Sequence, residues 1–260
     1  MRICLTLEYD GTHFNGWQSQ PNKNTVQDYL NNALALIANH SINTIAAGRT
    51  DAGVHALSQV VHFDTTTMRP MSAWVRGVNA HLPESIRVQT AQGVDDQFHA
   101  RFDAYQRSYQ YVLVNSAVAP ALLAHKAGWY HLPLDLKAMQ EAISYLQGQH
   151  DFSAFRASSC QAKSPIKTMH RAIVTQHGNC FLFEFTASAF LHHQVRNMIG
   201  ALVYVGKGKN HASHIKHLLA QKNRAISPPT FSPAGLYLTG VGYDPKWGLP
   251  VLNKQLNLLI

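Results

Sequence analysis

The residues best placed to do chemistry lie in one glycine-bracketed decapeptide, Ala47-Gly48-Arg49-Thr50-Asp51-Ala52-Gly53-Val54-His55-Ala56. It holds a single carboxylate, Asp51, two residues after Arg49 and two before Gly53. Glycines on both sides let the backbone turn sharply and let a ligand approach closely. A carboxylate so placed could be a nucleophile, a general base, a metal ligand or a turn residue bonded to its own backbone.

Metal chemistry finds little support. Sixteen histidines are present, but adjacent His192-His193 would point to different sides of a helix and His150-Asp151 lacks a partner at ligand spacing. No H-E-x-x-H and no H-x-E with C-x-x-C occurs, so no metal site is expected. Cys4, Cys160 and Cys180 are three in number and far apart, which argues against a disulfide framework or a thiolate zinc site and for a reducing compartment.

The elements that must position Asp51 can be read from periodicity. Ile3, Leu5, Leu7 and Tyr9 alternate as a strand ended by Asp10-Gly11. Thr25-Val-Gln-Asp28 resembles a capping box opening a helix through Ala38, with Val26, Tyr29, Leu30, Ala33, Leu34 and Ile37 at helical spacing. Strand-like Asn43–Ala47 and Gln59–Phe63 flank the decapeptide, so Asp51 sits on a loop between two strands. A short helix near Ser72–Asn79 and a strand near Ile86–Thr90 complete β-α-β-β-α-β.

The second half is expected to repeat that order. Ser108–Asn115 reads as a strand and Asp135–Leu146 as a helix, with Gly148 after its end. Arg171–Gln176 and Cys180–Phe185 flank a His177-Gly178-Asn179 turn. A helix over about Phe190–Val205 and a strand at Leu236–Gly242 close the half. Arg196 falls in that helix among Leu191, Val195, Ile199 and Leu202, where an unpaired charge is costly, so it requires a partner. The fold class expected is α+β: two ferredoxin-like β-α-β-β-α-β halves, 1–97 and 98–246, with antiparallel or mixed sheets, a cleft between them and a tail over 247–260.

The charge pattern names a partner class. The net charge is +8, yet residues 1–100 hold six basic and eight acidic residues while residues 152–224 hold ten basic and one acidic. A basic stretch beside a nearly neutral one points to a polyanion-binding face, nucleic acid ahead of an anionic membrane. The N-terminus reaches acidic residues before a signal-like apolar region forms, and no run approaches about 18 apolar residues, so a soluble cytoplasmic protein without membrane contact is expected.

The decapeptide, followed by Gln59-Val-Val-His-Phe63, resembles the signature of the tRNA pseudouridine synthase A family. The likeness extends in order through Glu8-Tyr-Asp-Gly11 with Phe14-Asn-Gly-Trp-Gln18, Thr25-Val-Gln27, Phe98-His-Ala-Arg-Phe102, Arg107-Ser-Tyr-Gln-Tyr111, His150-Asp-Phe-Ser-Ala-Phe155, His193-Gln-Val-Arg-Asn197 with Val205-Gly206, and Gly235-Leu-Tyr-Leu238. The resemblance implies a cofactor-free isomerase converting uridine to pseudouridine at positions 38, 39 and 40 of the tRNA anticodon stem-loop, acting as a homodimer. It makes Asp51 the catalytic aspartate and gives it Arg196 as partner. Arg49 is implied to contact the substrate backbone and help hold the uridine out of the stack, Tyr109 to contact the target uracil, and Leu236 to form the apolar floor under the base. Tyr111, on the same strand face as Tyr109, is read as core.

The basic residues Arg156, Lys163, Lys167, Arg171, Lys207, Lys209, Lys216, Lys222 and Arg224 are then expected to face the tRNA backbone. Lys207-Gly-Lys209 is the best single candidate among them. Two rivals from other classes are an RNA-binding protein without catalysis and a metal-dependent hydrolase.

Overall fold

The computed structural model describes residues 1–250 and 252–256. It consists of two compact units: Met1–Tyr105 with Tyr237–Leu256, and Gln106–Leu236.

In the first unit, β1 (Arg2–Tyr9) is followed by α1 (Val26–Ala38), β2 (Ile45–Ala46), β3 (His55–Asp64), a π-type turn at Ala73–Gly77 running into α2 (Val78–Ala80), and β4 (Ile86–Val94). β1 pairs antiparallel with β3, from Arg2↔Asp64 to Tyr9↔Ala56, and with β4 on its other edge. β2 pairs antiparallel with the far edge of β3 at Ile45↔His62 and Ala46↔Val61. Ile3, Leu5, Leu7 and Tyr9 are all buried, as the alternation requires. α1 has the expected bounds because Thr25 caps it: its side chain accepts from Asp28 N, and left-handed Asn39 closes the other end.

In the second unit, β5 (Ala104–Asn115, whose first two residues belong to the first unit) pairs with β6 (Gly128–Tyr130) in parallel and with β9 (Cys180–Ala187) antiparallel. β9 forms a hairpin with β8 (Ile166–His177), whose outer edge takes β7 (Gly148–Asp151). Gly178 makes the hairpin turn with φ +57. α3 (Leu136–Ser144), α4 (Gln194–Gly206) and α5 (His214–Gln221) supply buried faces through Met139, Ile143, Met198, Leu202, Ile215 and Leu218. α4 starts at Gln194 rather than near Phe190. His193 is left-handed (φ 61), and the Gln194 side chain accepts from Leu191 N at 2.8 Å, which stops the helix there.

β10 (Leu236–Tyr243) is the strand expected to close the second half. From Tyr237 on it belongs instead to the first unit, where it runs parallel to the start of β3 at Tyr237↔His55 and Leu238↔Ala56. β11 (Leu252–Asn253) pairs with it in turn. The units therefore divide the chain elsewhere than at 97/98 and 246/247. The cause is visible around Phe98. This fully buried ring packs on Tyr243 and Trp247, Ala100 N donates to His62 Nδ1 at 3.1 Å, and Tyr243 OH donates to Ala100 O at 2.6 Å. The class is α+β, with mostly antiparallel sheets. Among the described residues, no helix is long and apolar enough to cross a membrane.

Candidate active site

The loop between β2 and β3 carries Asp51, and its backbone is fixed at Ala47, Gly48, Thr50, Asp51 and Val54. Ala47 N donates to Val60 O at 2.8 Å, and Gln59 Nε2 donates to Gly48 O at 2.7 Å. Thr50 is held twice, by Trp17 N on its carbonyl at 3.0 Å and by the Tyr9 hydroxyl on its Oγ1 at 2.8 Å. Val54 N then turns back to Asp51 O at 3.1 Å, with Gly53 at φ +77. Gly16 (φ +86) packs so closely beneath that a Cβ there would lie 2.6 Å from Thr50 O. Burial pushes the Tyr9 phenol up to about 12, so it stays a neutral hydrogen-bonding strut. The result presents a half-buried Asp51 and an exposed Arg49 from a loop with little freedom. Such preorganisation is what a reacting carboxylate needs.

His55, next after the loop, is buried. Its Nδ1 lies 3.1 Å from Gly11 N and 3.0 Å from Asp10 Oδ1, and its ring stacks on Tyr237 at 4.6 Å. Tyr9, Gln59 and His55 are the supporting residues that spacing does not single out. The signal is present in Glu8-Tyr-Asp-Gly11, whose Tyr9 reaches the loop from 41 residues away.

Tyr109, Arg196 and Leu236 belong to the second unit. Tyr109 is half-buried on β5 with its ring edge-on to Phe190 at 5.1 Å. Tyr111, on the same face, is fully buried and donates its hydroxyl to Ser232 O at 2.9 Å. Arg196 donates from Nε to Phe231 O at 2.9 Å, and the Phe231 ring lies 6.0 Å from that of Tyr111. Leu236 is buried, follows a Gly235 backbone held by Val112 N at 2.9 Å, and donates its own N–H to Pro233 O at 2.9 Å.

The basic residues divide sharply. Arg156 donates to Cys160 O at 2.6 Å and Ala162 O at 3.0 Å, tying its own loop together. Lys167 bonds Ser164 O and Ile166 O, and Arg171 faces Glu184 at 3.4 Å. Lys222 lies 3.6 Å from Asp151. Lys163 and Lys209 are exposed and Lys207 half-exposed. The ammonium groups of Lys207 and Lys209 lie 4.0 and 4.8 Å from the Tyr204 ring, with Gly208 at φ +74 between them.

An α+β protein whose tightly held loop presents one carboxylate, with a guanidinium anchored to a carbonyl in its second unit, has the parts of an enzyme. The sequence profile described as tRNA pseudouridine synthase matches residues 6–103 and 142–244. A tRNA pseudouridine synthase A of Methylobacillus flagellatus is 64% identical over 99% of this chain and 99% of its own. Proteins of the same name from Dechloromonas aromatica and Chromobacterium violaceum are 56% identical over 98% of this chain and 97% of theirs, and 57% identical over 96% of each. The chain belongs to the tRNA pseudouridine synthase family and is, with that family, an isomerase.

Proposed function

We propose that this protein isomerises uridine to pseudouridine at positions 38, 39 and 40 of the tRNA anticodon stem-loop, without a cofactor and with Asp51 as the catalytic carboxylate. In that reaction the C1′–N1 bond breaks, the detached uracil turns, and a C1′–C5 bond forms. The C5 proton is released and N1 gains one, so the product is an isomer. A carboxylate can serve by attacking C1′ or by promoting elimination to a glycal. What carries the reading is Asp51 itself, on a loop that Tyr9, Trp17 and Gly16 hold at the neighbouring Thr50 and whose sequence falls within the family match.

The remaining roles follow chemically. Arg49 offers a forked donor to a phosphate and a planar face to the gap left by an extruded nucleotide. Tyr109 contacts the uracil, Leu236 supplies an apolar floor that does not read the base, and Arg196 pairs with Asp51. A double-mutant cycle on Asp51 and Arg196 measures that pairing. Lys207, Lys209 and Lys163 grip the phosphate backbone. The surplus of Lys and Arg in residues 152–224 favours a polyanion. A cytoplasmic homodimer belongs to the same proposal, and sedimentation tests the dimer.

The deciding experiment mixes the protein with tRNA tritiated at uracil C5 and counts tritium in water, with EDTA present. Wild type releases it and Asp51→Asn releases essentially none. An inactive wild type, an active Asp51→Asn, or loss of activity to EDTA overturns the proposal.

A further inference from the structure

A buried polar node in the second unit takes no part in the proposed chemistry. Asn197 is fully buried on α4, one residue after Arg196. Its Nδ2 donates to Phe155 O at 2.7 Å, and its Oδ1 accepts from Arg224 Nη2 at 3.1 Å and Thr230 Oγ1 at 2.6 Å. Arg224 makes three further bonds, to Ser227 O at 3.1 Å, Pro228 O at 2.9 Å and Thr230 Oγ1 at 3.2 Å. Its charge lies among the carbonyl and hydroxyl oxygens of one short segment and the Asn197 amide oxygen on α4, a use that shapes backbone and leaves little for a polyanion.

That segment runs straight to Arg196. Ser227 Oγ ties it to Ala154 O at 2.7 Å, and Gly200 lets it lie against α4, since a Cβ there would come 2.2 Å from Pro229 O. At its end Phe231 N donates to Arg196 O at 3.2 Å, and Phe231 O receives Arg196 Nε at 2.9 Å. A guanidinium is planar, so a bond at Nε fixes the plane in which its other donors lie. The orientation of Arg196 is thus set by a carbonyl whose own position depends on Asn197, Thr230 and Arg224.

We infer that Arg224 is a positioning residue for Arg196, acting through residues 227–231. The inference rests on the proposal that Arg196 serves the reaction. Misplacement of a reacting group by about 1 Å costs about a hundredfold in rate, so loosening one bond of the node is expected to cost about tenfold.

The test measures kcat and KM by tritium release for wild type, Arg224→Lys, Thr230→Val and Thr230→Ser, alone and in an Arg196→Lys background, with thermal melts on each. Thr230→Val is expected to lower kcat about tenfold with KM for tRNA within about twofold, while Thr230→Ser, which keeps the hydroxyl, stays near wild type. Arg224→Lys falls further, and none of the substitutions reduces kcat again once Arg196 is Lys, because residues acting as a unit are not additive. A folded Thr230→Val with wild-type kcat, or losses that multiply with Arg196→Lys, overturns the inference alone. Wild-type kcat in Arg196→Lys removes Arg196 from the reaction and overturns both readings. If Arg224→Lys fails to fold, the Thr230 pair decides.

Discussion

The two units solve the same problem, holding one charged side chain still, by different means. The first unit has nine Lys and Arg against ten Asp and Glu, and it fixes the Asp51 loop with neutral groups: a phenol, an indole-bearing backbone, a glutamine amide and two glycines. Thirteen Lys and Arg face four Asp and Glu in the second, where Arg196 Nε is fixed by the Phe231 carbonyl and a half-buried Arg224 bonds the segment that leads to it. In the basic unit the guanidinium groups of Arg156 and Arg224 are each given oxygens of their own. Arg156 and Arg224 are engaged by carbonyls within the fold, and exposed Arg171 and Lys222 each face an acid, so the charge surplus overstates the number of cations offered to a polyanion.

The largest way to break this comparison is at Gly16. Alanine there meets both a left-handed φ of +86 and the Thr50 carbonyl at 2.6 Å, so the Asp51 loop must shift. Gly16→Ala is expected to lower single-turnover tritium release about a hundredfold, and to cost about 1–3 kcal/mol of stability in urea titration. Gly178→Ala in the second unit has a similar strain, φ +57, with nothing within 4 Å of the new methyl group. It is expected to cost about 1 kcal/mol and leave the rate alone. Equal rates for the two variants would show that loop rigidity is not what the first unit contributes.

Much of this is legible in the sequence. Thr25 and Asp28 mark α1 because capping is local chemistry, and the alternation of Ile3 to Tyr9 marks β1 because one face must be buried. The decapeptide stands out through its resemblance to the family signature, because by spacing alone a lone Asp between glycines reads equally as a turn residue. Illegible features depend on distant partners. β10 looks like the close of the second half until Tyr237 is seen opposite His55. Short β6 and β7 lack a periodic pattern, and α5, eight residues long, lacks a side-chain cap. Arg224 reads as one more surface cation because nothing local reveals that Asn197, 27 residues earlier, binds it.

A smaller effect separates the units by pH. His62 on β3 is buried and accepts Ala100 N on its Nδ1, and burial, then Arg2 and His99, lower its pKa to about 4. The folded state therefore refuses a proton that the unfolded chain takes up below about pH 6.5. Its contribution is complete above that pH and is lost as pH falls towards about 4, by up to about 3 kcal/mol at about 1.4 per unit. Urea unfolding at pH 7.5 and 5 should show this loss in wild type, and His62→Gln should flatten it. Hydrogen exchange should place the acid weakening among first-unit amides. An unchanged pH slope in the variant would assign the acid sensitivity elsewhere.

The smallest effect tests what the second unit's charge does. Lys207 and Lys209 share the Tyr204 ring across a left-handed glycine, an arrangement that holds two ammonium groups near one another without an acid between them. Cation–π interactions of this kind are worth about 1 kcal/mol or less, so Lys207→Ala with Lys209→Ala should barely change the melting temperature. Removing a cation that neutralises one phosphate reduces the slope of log affinity against log salt by about 0.7–0.9, so the pair should weaken tRNA binding and flatten that slope by about one to two. Arg69→Ala with Arg76→Ala removes two exposed cations from the nearly neutral first unit and should leave the slope as it was. If instead the arginine pair flattens the slope and the lysine pair does not, the grip on the polyanion lies in the unit that carries the carboxylate. The division drawn from the charge distribution would then be reversed.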